Sequence, residues 1–526
     1  MLAPSLLPSV IVGLLLCACQ KDTEVPGDTG PEGPIVVEHC GAVDGEQTWE
    51  PEAIHVLTCD LTVTGTLTLA PGVEVYADRG VRLAVDHGTL VALGNGEEAI
   101  LLASHEGFPL AGDWVGLVGD SADIQLASVT LRHAGSEGAL ISLDGGTASL
   151  EAVILSNGIA QGLYATGTTF TAIRDIQVAY VPTPLVLPWT AAQVLEEVFF
   201  QEVGTEAIVL SEATLAAPAT LTAQDYPYRA DGLTIQAGGN LMVSGGATLE
   251  LSGDIEVEAG ALAVYGDTIQ RAMLTASETD SGFMVHLGEA ATAATFRYAI
   301  VSGGSIVSDA PALFFTDTEV TALDMPALTV HGGVKDDDPG NLDDNTLSAA
   351  APGLVVDLDL LPLVGQNDCS GSAFDGVAVA GGAVSADLTL ETWPSDPVLV
   401  TADLSLTGGT VALTGGRLAF ADGVGLTVDG AHLTATGTTF EHQGGATGGW
   451  TGITVAEGSD DAMLAGVTVT QGGAGGGANL TLAADATVQG SLVSYSAGWG
   501  ILVQDGASPT LEGNTFQNNA LGDVGP

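Results

Sequence analysis

The side chains best suited to chemistry in this chain are carboxylates. Asp336, Asp337, Asp338, Asp343 and Asp344 crowd into KDDDPGNLDDN at 335–345. Hard oxygen donors at that density suit Ca²⁺. The run has no glycine at a sixth position and no glutamate at a twelfth, so it is not an EF-hand. A Ca²⁺ site and a solvated acidic loop are the two readings. Asp460 and Asp461 form a second pair, of the kind that does acid–base work on a glycosidic bond. Adjacent strand residues point to opposite faces, however, which separates the two carboxyls. An arginine base would be Arg132, beside His133, or Arg297, beside Tyr298. The alternative for each is an ion pair with a carboxylate on a neighbouring strand. Among nine histidines there is no His-x-His, and only His39 adjoins a cysteine, so zinc spacing is absent. Trp114 and Trp450 could stack on a sugar ring or pack in a core.

The elements that must position these groups are short strands. In Leu61 to Gly94 apolar and small polar residues alternate: Leu61, Val63, Leu67, Leu69, Val73, Val75, Val81, Leu83 and Val85. That is the period of a strand with one buried face. Gly65-Thr66-Leu67 returns as Gly88-Thr89-Leu90, 23 residues on. Gly239 to Gly260 repeats at 21, and Thr410 to His432 at 22. Units of 21–23 residues are the length of one coil of a parallel β-solenoid. About 22 coils, at about 4.8 Å each, would make a rod near 100 Å long.

A longer period overlies the short one. Asp60, Asp231 and Asp403 are spaced 171 and 172 residues; Gly94, Gly266 and Gly437 are spaced 172 and 171. Trp114, Phe283 and Trp450 are spaced 169 and 167. At the place of Arg132 and Arg297 the third copy has Thr470-Gln471. The chain thus reads as three copies of a block of about 171 residues, the third truncated: 39–225 with an N-terminal cap, 226–397 with the acidic loop and a connecting insert, and 398–526. Tyr180–Pro188, with three prolines, reads as a loop off the rod. Asn514, Asn518 and Asn519 suit an asparagine stack along the coils.

Composition narrows the partners. Against 65 acidic residues stand 10 basic ones, a formal net charge of −55. Such a surface repels phosphate backbones, which excludes nucleic acid, and disfavours acidic polysaccharide unless a cation mediates. With 46% hydrophobic residues the chain is too apolar for acidic disorder.

Residues 1–19, MLAPSLLPSVIVGLLLCAC, hold an apolar core too short to span a bilayer and suited to a secretory signal. Leu16-Cys17-Ala18-Cys19 resembles a bacterial lipobox. The resemblance implies cleavage after residue 18 and diacylglyceryl modification of Cys19, although no basic residue precedes the core. Residues 19–38 read as a flexible Pro/Gly/Asp tether, similar to linkers on myxobacterial surface lipoproteins. In an exported chain Cys40 and Cys59 can pair and close a small loop at the first strand; Cys369 is left without an assignment.

The stretch GTLTLAPGVEVYADRGVRL, the W-x-G-L/I element and the closing SPTLEGNTFQNN resemble bacterial right-handed parallel β-helix repeat proteins of pectin-lyase-like fold. Parallel crossovers are right-handed almost always. That fold carries lyases, hydrolases, adhesins and inert stalks alike. The Gly-His-Gly and Arg-x-Lys elements of its pectinases are absent here. The expectation is an all-β lipoprotein on the outer membrane or cell surface. It would act as a structural, adhesive or carbohydrate-contacting rod, with Cys19 as its anchor, no catalytic residue and no cofactor beyond a Ca²⁺ at the acidic run. A polysaccharide lyase or glycoside hydrolase is the alternative.

Overall fold

The computed structural model describes residues 35–277, 282–333, 342–459 and 461–526. It is a parallel β-solenoid of about 21 turns, 56% strand and 3% helical. All strand pairings among the described residues are parallel, and each coil lays its strands on those of the coil before. Inward side chains from Val43 to Ile501 merge into one continuous core, most of them with no exposed surface. The alternation read from Leu61 to Val85 holds: these residues are inward and buried, with Thr62, Thr68 and Ala84 between them facing outward.

Corners are made in two ways. In the N-terminal coils a single strand bends without leaving the ladder. Asp123–Arg132, Thr147–Ser156 and Thr169–Ala179 each pass through one left-handed residue: Ser128, Ala152 and Asp175, with φ of 49°, 52° and 51°. The register skips that residue and resumes on the next face, as Ala127↔Glu151 and Val129↔Val153 show. A second corner stacks His133, Asn157 and Tyr180, also left-handed. Their amides donate to Ser156, Ala179 and Gln201 carbonyls at 3.1 Å. Non-glycine residues rarely sit at positive φ; here the coil-to-coil hydrogen bonds hold them there.

The aspartates that mark the long period have a local task. Asp60 Oδ1 accepts from the Arg82 amide (3.1 Å) and Asp403 Oδ1 from the Gly425 amide (2.9 Å), each on the next coil. Asp231 Oδ1 accepts from the Ser252 hydroxyl, 2.9 Å away. Two inward 3₁₀ turns, Trp189–Val194 and Leu358–Leu363, lie 169 residues apart. They bury Trp189, Ala191 and Ala192, and Leu358, Leu360 and Leu361.

Tyr180–Pro188 corrects an expectation. It is no loop off the rod: Thr183–Leu187 is a strand in the ladder, with Leu185, Val186 and Leu187 buried. The Thr183 amide still donates to Ala160 O (3.0 Å), and Leu185 pairs with Leu163 and Ile208. Pro184 contributes no donor, and Gly162 opposite leaves it room. A Cβ on Gly162 would come within 2.6 Å of the Pro184 carbonyl.

Asparagines do cross coils. Asn345 accepts the Thr318 amide (3.0 Å) and gives its own amide and side-chain NH₂ to Asn367 Oδ1 (3.2 and 2.9 Å). Asn514 and Asn519 accept the Ser491 and Ser496 amides (2.9 and 3.1 Å).

Candidate functional site

The sequence-derived candidates do not converge. Cys19 and Asp336, Asp337 and Asp338 lie outside the described residues, as does Asp460. Asp343 Oδ1 is taken by the amides of Gln366 (2.6 Å) and Asp344 (3.0 Å). Among the described residues no group of three His, Cys, Asp or Glu is placed to hold a metal ion. Cys40 and Cys59 are disulfide-bonded, with Cα atoms 5.0 Å apart. Cys369 is a buried free thiol. Burial, with the charges of Asp375 and Asp368 behind it, pushes its pKa up to about 11, which makes it a poor nucleophile.

Trp114 and Trp450 are 1% and 0% exposed, which rules out stacking on a sugar and corrects that expectation. Each indole N–H is satisfied inside the wall: Trp114 donates to Arg132 O (3.0 Å), Trp450 to Thr470 O (2.8 Å). Trp450 also stacks on Phe420, centroids 4.3 Å apart. A buried indole needs such a partner. Among the described residues the ion pairs across coils belong to arginines other than the two candidates, Arg132 and Arg297. Arg174 pairs with Glu151, Arg229 with Glu250 (2.6 Å) and Arg417 with Glu441 (2.6 Å), each across neighbouring coils. Arg297 lies 5.2 Å from the Tyr298 ring.

A groove opens where Phe283 occupies the place read as equivalent to the two tryptophans. Phe283 is smaller and has no N–H to tie to a carbonyl. Its ring abuts Gly304 on the next coil, where any Cβ would come within 2.4 Å of it. Outside it lies a cavity of about 270 Å³, lined by Asp254, Met284, Ser305, Leu323, Asp324 and Met325. Leu323 and Met325 are 49% and 47% exposed. Asp254 Oδ1 also accepts the Met284 amide (2.7 Å). The groove therefore offers apolar surface flanked by two carboxylates and a hydroxyl. It suits a ligand with hydroxyl or cationic donors and an apolar face.

Beside it on the same strand, Phe283–Leu287, is an arrangement the sequence reading missed. His286 is gripped from both sides: Nδ1 by Glu256 (2.7 Å) and Nε2 by Asp309 (2.9 Å). A carboxylate only accepts, so both ring nitrogens must donate and the imidazolium is the form that fits. The Asp309 hydrogen bond, followed by Glu256, raises the His286 pKa. The signal was present: 256, 286 and 309 sit about one coil apart. It was hidden because the 30-residue step includes a loop.

A second missed cluster closes the N-terminal end. His39 stacks on Trp49 (3.8 Å) and Trp49 on His55 (4.7 Å). His55 Nε2–H donates to Glu50 O (3.0 Å), which leaves Nδ1 to accept from His39 Nε2–H (2.9 Å). Burial, with His55 as the second cause, lowers the His39 pKa to about 4. A third histidine, His442, is buried. The Ala446 amide donates to its Nδ1 (3.0 Å), and Nε2–H donates to Asp422 (2.7 Å).

No protein-family model matches the chain, and neither does any curated protein or solved structure.

Proposed function

We propose that the chain is a surface-anchored lipoprotein whose right-handed β-helix, three copies of one block, acts as a non-catalytic rod. The rod presents the Asp254–Met325 groove to a glycan or other cell-surface ligand. The observation that carries this reading is the ladder itself, parallel from Ile35 to Gly525. About 21 turns at about 4.8 Å give a rod of about 100 Å, long enough to hold a mid-rod groove well clear of a membrane. The lipobox-like Cys19 and the tether supply the anchor in this proposal. Arg174, Arg229 and Arg417 support the non-catalytic part, because each is held in an ion pair across coils. The groove's carboxylates favour a neutral or basic ligand over a polyanion.

The test is a glycan-array screen of the full chain, run with and without Ca²⁺, beside a lyase assay on the same preparation. Retention of neutral glycans, lost in Leu323→Asp, is the expected result. Unsaturated product absorbing in the ultraviolet would overturn the non-catalytic reading in favour of a polysaccharide lyase. Acyl labelling that disappears in Cys19→Ala is expected for the anchor, and labelling that persists would remove it.

A further inference from the structure

Two loops, residues 105–113 and 443–449, each leave a strand and end on a buried tryptophan, Trp114 or Trp450. They are pinned by opposite chemistry. We propose that residues 443–449 form an acid-released flap, shut only while His442 is neutral. His442 ends the strand Thr439–His442 and is buried. The loop backbone lies directly on its ring. A Cβ on Gly449 would come within 2.4 Å of the imidazole, and one on Gly444 within 3.0 Å. Four of the seven loop residues are glycine, so few side chains anchor it. Its two ends are tied to the ladder. The Gln443 amide donates to Phe420 O (2.9 Å), and the Gly448 and Gly449 amides donate to Gln471 O (2.9 and 3.1 Å). Its middle rests on His442. The Gly445 amide donates to the His442 carbonyl (3.1 Å), and the Ala446 amide to Nδ1 (3.0 Å). The Ala446 carbonyl in turn accepts from Gly449 (3.1 Å).

Nδ1 accepts a hydrogen bond only when it carries no proton. The Asp422 carboxylate takes the Nε2–H (2.7 Å) and so fixes that tautomer. Protonation sets an Nδ1–H against the Ala446 N–H. Two donors then face each other, and the amide is left without an acceptor. Histidine is the side chain whose charge ordinarily changes between pH 5 and 8. Asp422 stays beside Nε2 and stabilises the imidazolium of the opened form, so acid drives the opening. The other elements around the ring add no charge against it. Residues 443–449 carry none, Thr468–Thr470 on the next coil carries none, and Glu441 is engaged with Arg417 (2.6 Å). The other loop is held differently. Asp113, itself buried, accepts the Leu110 amide (2.7 Å) and the Ser104 hydroxyl (3.1 Å) and pairs with Arg79 (3.2 Å). A guanidinium keeps its charge throughout the histidine range, so that loop has no such switch. Arg79 and Asp422 stand 343 residues apart, the spacing of Asp60 and Asp403. One place thus holds a permanent cation in the first loop and the counter-charge of a titratable one in the second.

The test is hydrogen–deuterium exchange of the full chain, read by mass spectrometry on peptides covering the two loops, from about pH 8 to about pH 5. Corrected for the intrinsic exchange rate, protection at residues 443–449 should fall about tenfold or more on acidification. Protection at residues 105–113 should stay level. Asp422→Asn, at an exposed position, should move the opening to lower pH, because the imidazolium loses its counter-charge. His442→Phe has no acceptor and should leave the loop open at every pH. If that variant fails to fold, Asp422→Asn decides alone. Constant protection at residues 443–449 down to about pH 5 would overturn the proposal. So would an equal fall in both loops, which would mean that acid loosens the coil as a whole. An opening whose midpoint ignores Asp422→Asn would overturn it too, since His442 would then not be the group that titrates.

Discussion

The two ends of this solenoid solve the same problem differently. At the N-terminal end the core is sealed by side chains: Trp49 lies between His39 and His55, and the Cys40–Cys59 disulfide ties the first strand to the second coil. Trp49 and Val43 are nearly inaccessible in consequence. In the last coil described, Leu511, Phe516 and Val524 point inward but stay wet. A parallel ladder satisfies backbone groups along its length and leaves both final edges open. Covering an end therefore takes residues of another kind, and in this chain rings and a cross-link do it.

That contrast can be broken most directly at Trp49. Trp49→Ala removes the ring on which both histidines rest and opens the first coil. It should cost about 3–5 kcal/mol, the range for deleting a large buried aromatic. Solenoid stability is nearly a sum over coils, so the loss should appear as faster amide exchange in Ala53–Val63, with the coils beyond Gly425 unchanged. Cys59→Ser comes next. Opening a disulfide-closed segment with a sequence separation of 19 residues should cost about 3 kcal/mol on the chain-entropy account, read by urea titration with and without reductant. Phe516→Ala at the other end should cost only about 1–2 kcal/mol, because part of the ring is already in water. Equal losses for Trp49→Ala and Phe516→Ala would show that the ends are sealed alike.

The sequence made the ladder legible because a coil repeats its period many times, so errors at single positions cancel. The aspartates at 60 and 403 stood out for the same reason, each repeating one coil-to-coil hydrogen bond. What the sequence hid were features written once. The prolines near 182 suggested a loop, yet Pro184 fits the ladder because Gly162 opposite clears the space. The tryptophans at 114 and 450 could be read as packing or stacking until their burial decided it. The Glu256–His286–Asp309 bridge joins residues from three coils, and an inserted loop between two of them breaks the spacing that would have aligned them.

The smallest effects sharpen the comparison by sign, through two histidines shifted in opposite directions. His39 at the sealed end titrates near 4 when folded, below the ordinary value of 6.5, because burial disfavours its charged form. The unfolded chain then binds more protons between those values, so stability rises with pH across that window. The contribution is complete above about 6.5 and is lost as pH falls towards 4. His286 on the open face is raised above 6.5 by Asp309 and Glu256. Its contribution is present below 6.5 and is lost as pH rises through the higher folded value. Both rings are partly solvated, so each limb should amount to less than about 1 kcal/mol after screening. Urea midpoints measured in steps across the histidine range should show His39→Gln flattening the acid limb alone and His286→Gln flattening the other. If His39→Gln leaves the acid limb unchanged, the ring stack does not hold the imidazole neutral. The seal at that end would then rest on Trp49 and the disulfide.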